Sequence, residues 1–200
     1  MAAESQRAKA SLRERKKAKT RTAIQHEALR LFRLHGYEAT TVEEIADKAE
    51  VSPSTFFRYF PSKEDVVLSD DYDPLITEAV RAQPSELSPI RAIRNALFEV
   101  FSQLSQDDLE DMFERTQLAL SVPELRAAIL DQFARTIRQI TDLLAEHTGS
   151  ANDDFALHTL AGAVMGVMIS AQFHWVEHPE QNLISLLDNA LEQLEFGFQY

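Results

Sequence analysis

The amino-acid sequence predicts an all-α protein made of two domains. Glycine and proline are scarce, at 5 and 7 of 200 residues, and such a composition favours helices. Apolar residues recur at helical spacing along most of the chain, and no segment reads as a convincing strand. We expect residues 1–65 to hold three short helices and a basic N-terminal arm, and residues 66–200 to form a larger helical bundle.

The first predicted helix runs from about Ser11 to just before Gly36. Its apolar stripe comprises Ile24, Ala28, Leu29, Leu31 and Phe32. Gly36 stands where a helix C-cap would lie, because glycine readily adopts the left-handed backbone that ends many helices.

Thr41 is expected to cap a second helix, with Glu44 three residues later as in a capping box. The short turn Glu50-Val51-Ser52 follows this helix. The residues that share its predicted apolar face are Val42, Ile45, Ala46 and Ala49.

Ser52 is expected to cap a third helix, with Pro53 at its first position, where a missing backbone N–H costs nothing. Phe60-Pro61 ends that helix. Ser62 then caps a further helix that runs through residues 66–68.

Four aromatic rings surround one arginine in the stretch VSPSTFFRYFPSKED, residues 51–65. Helical spacing puts Phe56 and Phe60 on one face, toward the core. Arg58 points nearly opposite, with Phe57 and Tyr59 at its flanks. Two rings are therefore predicted to be buried, and the guanidinium is predicted to project outward.

Such an outward face suits double-stranded DNA. Hydroxyls and cations meet phosphates, and arginine is the commonest bidentate reader of guanine in the major groove. Two helices joined by a short turn with this face form a helix-turn-helix. Ala46, Val51 and Phe56 supply the small and apolar positions that let the two helices pack closely. Spacing alone also fits a helical corner in a bundle that does not bind DNA.

Charge is distributed unevenly along the chain. Residues 1–65 carry 13 Lys/Arg and 10 Asp/Glu. Residues 66–200 carry 7 Lys/Arg and 22 Asp/Glu, so the net charge of the whole chain is −12. The run RAKASLRERKKAKTR at 7–21 has eight basic residues and one acid. This asymmetry indicates an anion-binding N-terminal end, although a solvated helix face would also explain the run by itself.

Residues TTVEEIADKAEVSPSTFFRYFPSKEDVV resemble the DNA-binding domain of the TetR family of bacterial transcriptional regulators, over about residues 11–70. The resemblance implies a homodimer in which three N-terminal helices bind DNA and a divergent helical domain binds a small effector. It implies DNA contacts from Thr40, Thr41, Ser52, Ser54, Thr55, Phe57, Arg58, Tyr59 and Lys63, with Thr40, Thr41 and Lys63 on phosphates.

Three positions depart from the family pattern. Glu50 stands where the family usually has a turn glycine, so we expect a strained turn there. Ser54 replaces another frequent glycine. Phe57 stands where tyrosine is common, which exchanges a phosphate hydrogen bond for an apolar contact.

The larger half is expected to contain helices near 89–104, 108–120, 124–147, 152–176 and 180–199. Gly162, Gly166 and Ser170 form a small-residue stripe in the fourth of these. The last carries an apolar stripe that includes Leu183, Leu187, Leu191 and Leu194. Both stripes fit an internal core, and the family resemblance favours a dimer interface that would read a palindromic operator.

An effector pocket is predicted from apolar side chains with a few polar ones. The candidates are Phe98, Phe101, Phe113, Gln117, Phe133, His158, Met165, Met168 and Phe173. Taken singly, each ring or methionine fits plain core better than a cavity lining. The basic entry and the FPSKEDVV run are similar to mycofactocin-associated regulators, which implies an acyl-CoA-like effector. The outward Arg58 face attached to a large helical domain favours a repressor that the effector releases from its operator.

The sequence offers little support for an enzyme. It has no cysteine, which excludes disulfides, thiolate catalysis and Cys-ligated metals, and no GxSxG, HExxH, P-loop or dinucleotide fingerprint. His174 and His178 precede Pro179, where a helix is ending, so we predict neither metal nor cofactor. A ligand-binding or catalytic bundle with a vestigial DNA-binding head, and a DNA coater without effector, remain the alternatives.

The sequence also predicts where the protein acts. Its polar, basic N-terminus shows no secretory signal, and the apolar stretch 159–173 is too short for a comfortable membrane span. We therefore expect a cytoplasmic protein without membrane contact.

Overall fold

The structure, a computed structural model, describes residues 2–69, 72–151 and 154–198, with side chains from residue 16 onward. The described residues form ten helices and no strand, which confirms the predicted all-α class. The helices are α1 (Ala2–His35), α2 (Val42–Lys48), α3 (Pro53–Tyr59), α4 (Lys63–Leu68), α5 (Asp73–Arg81), α6 (Pro89–Phe101), α7 (Gln106–Ser121), α8 (Pro123–Thr148), α9 (Phe155–Glu177) and α10 (Leu183–Phe196).

The chain divides into two compact units, residues 1–69 and 70–200. The predicted boundary after residue 65 falls inside α4, which belongs to the first unit. Val66 and Val67 of α4 are buried, and the Gln25 side-chain amide donates to the carbonyls of Val66 and Ser69, at 2.8 and 3.0 Å. These contacts with α1 place the boundary after Ser69.

Local signals in the first unit produce the predicted helix ends. Gly36 has φ +85°, and its N–H donates to the Phe32 carbonyl at 2.9 Å, which ends α1. Thr41 and Glu44 form the predicted capping box of α2, and Ser52 and Ser62 cap α3 and α4. The core beneath these helices consists of Ile24, Ala28, Leu29, Leu31, Phe32, Tyr37, Ile45, Ala46, Phe56, Phe60, Val66 and Val67.

The second unit contains the five predicted helices and one more, α5. The sequence did not predict α5, because its N-cap, Tyr72, makes no side-chain capping bond. Burial of Ala79 and Val80 stabilises this helix instead. Predicted ends also shift by a few residues: α6 stops at Phe101, and α10 begins at Leu183 because Asn182 caps it there.

Helix α9 is apolar on nearly every side. By length and composition alone it could cross a membrane, since an 18-residue window within it has mean hydropathy 1.4. Within the structure, 28% of that window is buried. The core helix of a soluble protein passes the same test, and α9 packs against both α8 and α10. Its inward residues include Leu157, Val164 and Trp175. The helix therefore has one face in the core and one apolar face outside it.

Candidate nucleic-acid interface and effector cavity

The turn between α2 and α3 carries the strain that the sequence predicts. Glu50 has φ +55° and is the one non-glycine residue with positive φ in the described part of the chain. Its N–H still donates to the Asp47 carbonyl at 3.1 Å, and the Val51 N–H donates to Ala46 at 2.9 Å. The turn is thus hydrogen-bonded. Its free-energy cost comes from the Cβ of Glu50, which crowds the backbone in the left-handed region.

Three hydroxyls lie together at the start of α3. The oxygen of Ser52 lies 2.9 Å from the hydroxyl oxygens of both Ser54 and Thr55, and it accepts the Thr55 N–H at 3.1 Å. Ser52 and Ser54 are exposed and Thr55 is half-buried. Each hydroxyl has both donor and acceptor capacity, so the cluster can still bond to phosphate oxygens or base edges.

The rings of α3 are sorted between core and surface as predicted. Phe56 and Phe60 are fully buried, whereas Phe57 is 50% exposed. Arg58 is exposed, with its guanidinium carbon 5.4 Å from the Tyr59 ring centroid. An exposed arginine on a helix face has the donors that bidentate recognition of a guanine edge requires.

Thr40 requires a correction. Its side chain is 1% exposed, and its hydroxyl donates to the Gly36 carbonyl at 2.8 Å. The hydroxyl closes the loop after α1 and is not presented to a phosphate. The neighbouring Thr41 is exposed, but its hydroxyl and N–H bond to the Glu44 carboxylate, which lowers the pKa of Glu44.

Lys63 also has a structural role that the sequence did not reveal. Its ammonium donates to the carbonyls of Tyr37 and Thr40, at 2.9 and 3.1 Å, and lies 4.2 Å from the Tyr37 ring centroid. Lys63 therefore ties α4 to the loop between α1 and α2. An ammonium has three donors, so one is left for a phosphate.

The basic run at 7–21 divides into residues with different roles. Arg21 donates to the Tyr59 carbonyl at 3.1 Å, and its guanidinium carbon lies 4.2 Å from the Phe60 ring centroid, which secures the end of α3. Lys16, Lys17 and Lys19 are exposed on α1. The basic side chains of residues 7–15 lie outside the described side chains.

A cavity of about 440 Å³ lies between α5, α6, α8 and α9. Its volume falls within the range of small-molecule sites. The apolar lining consists of Pro74, Ile76, Val80, Ile93, Leu97, Ile140, Leu143, Val164, Met165 and Met168. The polar and charged lining consists of Asp73, Thr77, Arg81, Thr136, Gln139, Asp142 and Glu146.

The structure does not bring the nine predicted pocket residues together. Met165 and Met168 line this cavity, and the other seven do not. On α6 the cavity is lined by Ile93 and Leu97, while Phe98 is 54% exposed and Phe101 packs in the core against Tyr72. The remaining predicted residues are scattered: Phe113 packs on Trp175, Phe133 is half-buried, and Gln117, His158 and Phe173 are exposed.

The predicted dimer residues also separate into two groups. Leu183, Leu187 and Leu191 are buried in the core of their own unit, and Leu194 packs against that core, so this stripe is not a free surface. Helix α10 turns its leucine stripe inward because that is its most apolar face.

The small-residue stripe on α9 is accessible. Gly166 and Ser170 are exposed and Gly162 is half-buried, and a Cβ added at either glycine would meet nothing within 4 Å. Ser170 also lines a groove between α9 and α10, together with Leu186 and Ala190. The glycines are therefore not required for packing within the chain.

These features define a class of protein. A helix-turn-helix with an outward arginine, on a chain whose second unit encloses an apolar cavity, is the arrangement of a DNA-binding transcriptional regulator.

Two family models match the chain. The one for bacterial regulatory proteins of the tetR family matches residues 24–69, and the one for the MftR C-terminal domain matches residues 87–199. The chain belongs to the TetR family of bacterial transcriptional regulators.

Individual relatives agree with this assignment. The regulator TcmR of Streptomyces glaucescens is 30% identical over 194 residues, which cover 92% of this chain and 86% of TcmR. MftR of Mycobacterium tuberculosis, named for mycofactocin biosynthesis regulation, is 27% identical over 189 residues. The match covers 92% of this chain and 93% of MftR. These relatives are transcriptional regulators, so neither an enzyme nor a bundle with a vestigial DNA-binding head is favoured.

A solved structure shows the same fold. The transcriptional repressor FadR of Thermus thermophilus, crystallised in complex with lauroyl-CoA, is 26% identical with a TM-score of 0.56. The match covers 90% of this chain and 95% of FadR.

Proposed function

We propose that this regulator binds a palindromic operator as a homodimer and is a repressor released by a small-molecule effector. The exposed Arg58 face of α3 carries the proposal, because it combines a base-reading group with hydroxyls for the phosphates. The effector site is the cavity of the second unit.

The proposed DNA contacts follow from which side chains are accessible. The side chains that face the major groove are Ser52, Ser54, Thr55, Phe57, Arg58 and Tyr59. Thr41 and the remaining donor of Lys63 meet phosphates at its edge, and the buried Thr40 is left out. Half-exposed Phe57 supplies an apolar contact, for which a thymine methyl is the natural partner.

The proposed dimer uses the outward face of α9. Glycine inside a helix costs about 1 kcal/mol relative to alanine, yet Gly162 and Gly166 have open space around them in the chain. A second copy approaching closely along this face would account for them, and it would cover the apolar surface of α9. Two-fold symmetry then matches a palindrome with half-sites about one DNA turn apart, roughly 34–36 Å.

The apolar lining of the cavity supports an effector with a hydrophobic body. An acyl-CoA-like ligand, implied by the family resemblance, would supply such a body, and the lauroyl-CoA bound to the Thermus repressor is a ligand of this kind. The effector would act by binding more tightly to a dimer that does not fit the operator, which shifts the population away from DNA. Because its target is chromosomal DNA, we place the protein in the cytoplasm.

Retention of genomic DNA tests this function directly. Purified protein is mixed with fragmented genomic DNA at physiological salt, and the retained fragments are sequenced. A recurring palindrome is the expected result, and retention without any shared sequence would instead indicate a DNA coater.

A substitution at Arg58 then links the operator to α3. Arg58→Ala should weaken binding to the recovered palindrome by about 1–3 kcal/mol and relax base choice at one position per half-site. Arg138→Ala, at an exposed arginine of α8, is the matched control and should leave binding unchanged. Unchanged binding by the Arg58 variant would overturn the assigned interface.

A further inference from the structure

The second unit contains another cavity besides the effector cavity. It has a volume of about 410 Å³ and lies between α7, the end of α9 and the start of α10. Its described lining shares no residue with that of the effector cavity. This volume is within the range of small-molecule sites, so the cavity has room for a ligand of its own.

Trp175 of α9 lines this cavity and carries an unused hydrogen-bond donor. The residue is only 7% exposed, and its ring makes an edge contact with Phe113 of α7, with the ring centroids 5.1 Å apart. A buried tryptophan N–H usually has an acceptor, yet this one donates to no residue in the described part of the chain. Its Nε1 atom is also not among the side-chain atoms that are sealed from solvent without a partner. The N–H therefore stays open to the cavity that the ring lines.

The other polar groups of the lining indicate what a ligand would present to them. Asn182 caps α10, and its Oδ1 accepts the Ser185 N–H at 2.9 Å and the Ser185 hydroxyl at 3.3 Å, so its amide hydrogens are left to donate. Glu110 and Glu180 are exposed carboxylates, which accept N–H groups and repel anions. These groups suit a neutral ligand that has both an acceptor oxygen and an N–H.

We propose that this cavity is a second ligand site, which binds a neutral planar ring with an N–H next to a carbonyl, as in a lactam. The Trp175 N–H would donate to the carbonyl oxygen, and the carboxylate of Glu110 or Glu180 would accept the ring N–H. The ring itself would pack on Trp175 and Phe113. The site goes beyond the proposed function, because it shares no residue with the effector cavity or with the Arg58 face.

Three probes of nearly the same shape test the two hydrogen bonds one at a time. 2-Quinolinone has a ring N–H beside its carbonyl, coumarin has a ring oxygen in place of the N–H, and naphthalene has neither group. Calorimetry measures the affinity of each for the full chain, and we expect it to fall about fivefold at each step of this series. Equal affinities of 2-quinolinone and coumarin would overturn the lactam preference. Equal affinities of 2-quinolinone and naphthalene, or no binding by any probe, would overturn the site.

Trp175 is the sole tryptophan of the chain, so its indole N–H gives one resonance that reports on this cavity. In a proton–nitrogen correlation spectrum of the parent chain, 2-quinolinone should shift this resonance downfield relative to naphthalene, because a hydrogen bond to the carbonyl deshields the proton. An indole resonance that does not move at saturating 2-quinolinone would place the binding elsewhere and overturn the proposal.

Two variants separate this cavity from the effector cavity. Trp175→Phe keeps an aromatic ring and removes the N–H, so it should weaken 2-quinolinone and coumarin about fivefold and leave naphthalene unchanged. Thr77→Val removes one hydroxyl from the lining of the effector cavity and should change none of the three affinities. An equal loss of all three probes in Trp175→Phe would show that the ring only packs. A loss of 2-quinolinone in Thr77→Val as large as in Trp175→Phe would place the probe in the effector cavity, and either result would refute the second site.

Discussion

Arg94 on α6 and Asp188 on α10 form a two-point ion pair across the second unit. The Nε and Nη2 atoms of Arg94 donate to the two carboxylate oxygens of Asp188, at 2.6 and 3.0 Å. The Arg94 side chain is only 18% exposed, and its Nη1 lies 3.5 Å from Glu192. Because Ile93 and Leu97 on the same helix line the cavity, this pair connects the cavity wall to α10.

Loss of this pair should destabilise the second unit. Arg94→Gln should lower the free energy of unfolding by about 1–3 kcal/mol, since it removes charge-assisted hydrogen bonds from a mostly buried donor. Urea unfolding followed by circular dichroism measures the change. Arg138→Gln, at an exposed arginine of α8, is the control, and equal stability of the two variants would contradict the role given to Arg94.

Acid should weaken the fold through the same carboxylate. The hydrogen bond from Arg94 lowers the pKa of Asp188, and hydrogen bonds from Ser105 lower that of Asp108. A carboxyl whose folded pKa lies below its unfolded value, about 3.9 for aspartate, stabilises the protein above that value. This stabilisation is lost as the pH falls through the folded pKa.

Urea midpoints measured between neutral pH and about pH 3 should therefore fall most steeply below about pH 4. Asp188→Asn should reduce the steepness of that fall, because the variant has lost one of the groups that titrate. An identical pH dependence in the variant and the parent chain would show that Asp188 does not contribute.

The turn at Glu50 should become more stable with glycine. At φ +55° a side chain costs about 1–2 kcal/mol that glycine avoids, so Glu50→Gly should raise the unfolding midpoint of the first unit. Glu50→Ala keeps the Cβ and removes the charge, so it separates strain from electrostatics. If the alanine variant gains as much as the glycine variant, backbone strain is not the cause.

A large side chain on the outer face of α9 should disrupt the proposed dimer and leave the chain folded. Gly166→Leu meets open space within the chain, so circular dichroism should show an intact helical fold. Sedimentation velocity should show a shift toward monomer, because leucine prevents close approach of a second copy. Ala134→Leu, at an exposed site of α8 outside the proposed interface, is the control. A Gly166→Leu dimer as tight as the parent would place the interface elsewhere.

The helix-turn-helix was predictable because its signals are local. The caps at Thr41, Ser52 and Ser62 act within three residues of the helices they begin, and the separation of Phe56 from Arg58 follows from helical period alone. The prediction for Thr40 was wrong because its hydroxyl bonds to Gly36, at the start of the loop after α1. The prediction for Lys63 was incomplete because it missed the bond to Tyr37 in the same loop. No local sequence pattern describes the path of that loop.

The cavity was not predictable for a different reason. An apolar residue in a helix can line a cavity or fill a core, and helical periodicity does not distinguish the two. Leu97, which lines the cavity, and Phe101, which packs in the core, therefore look equivalent in sequence. Helix α5 contributes to the cavity wall, yet the sequence did not predict it because its cap is weak and its order comes from packing.

By itself the sequence determined the all-helical class, the helix-turn-helix and the outward Arg58, because each depends on interactions between residues a few positions apart. Tertiary structure decided which apolar stripes are covered, burying Leu187 and leaving Gly166 open, and it gathered the carboxylates of α5 and α8 around one cavity. Those outcomes depend on how distant helices pack, and the free energy of that packing is shared among residues far apart in the chain.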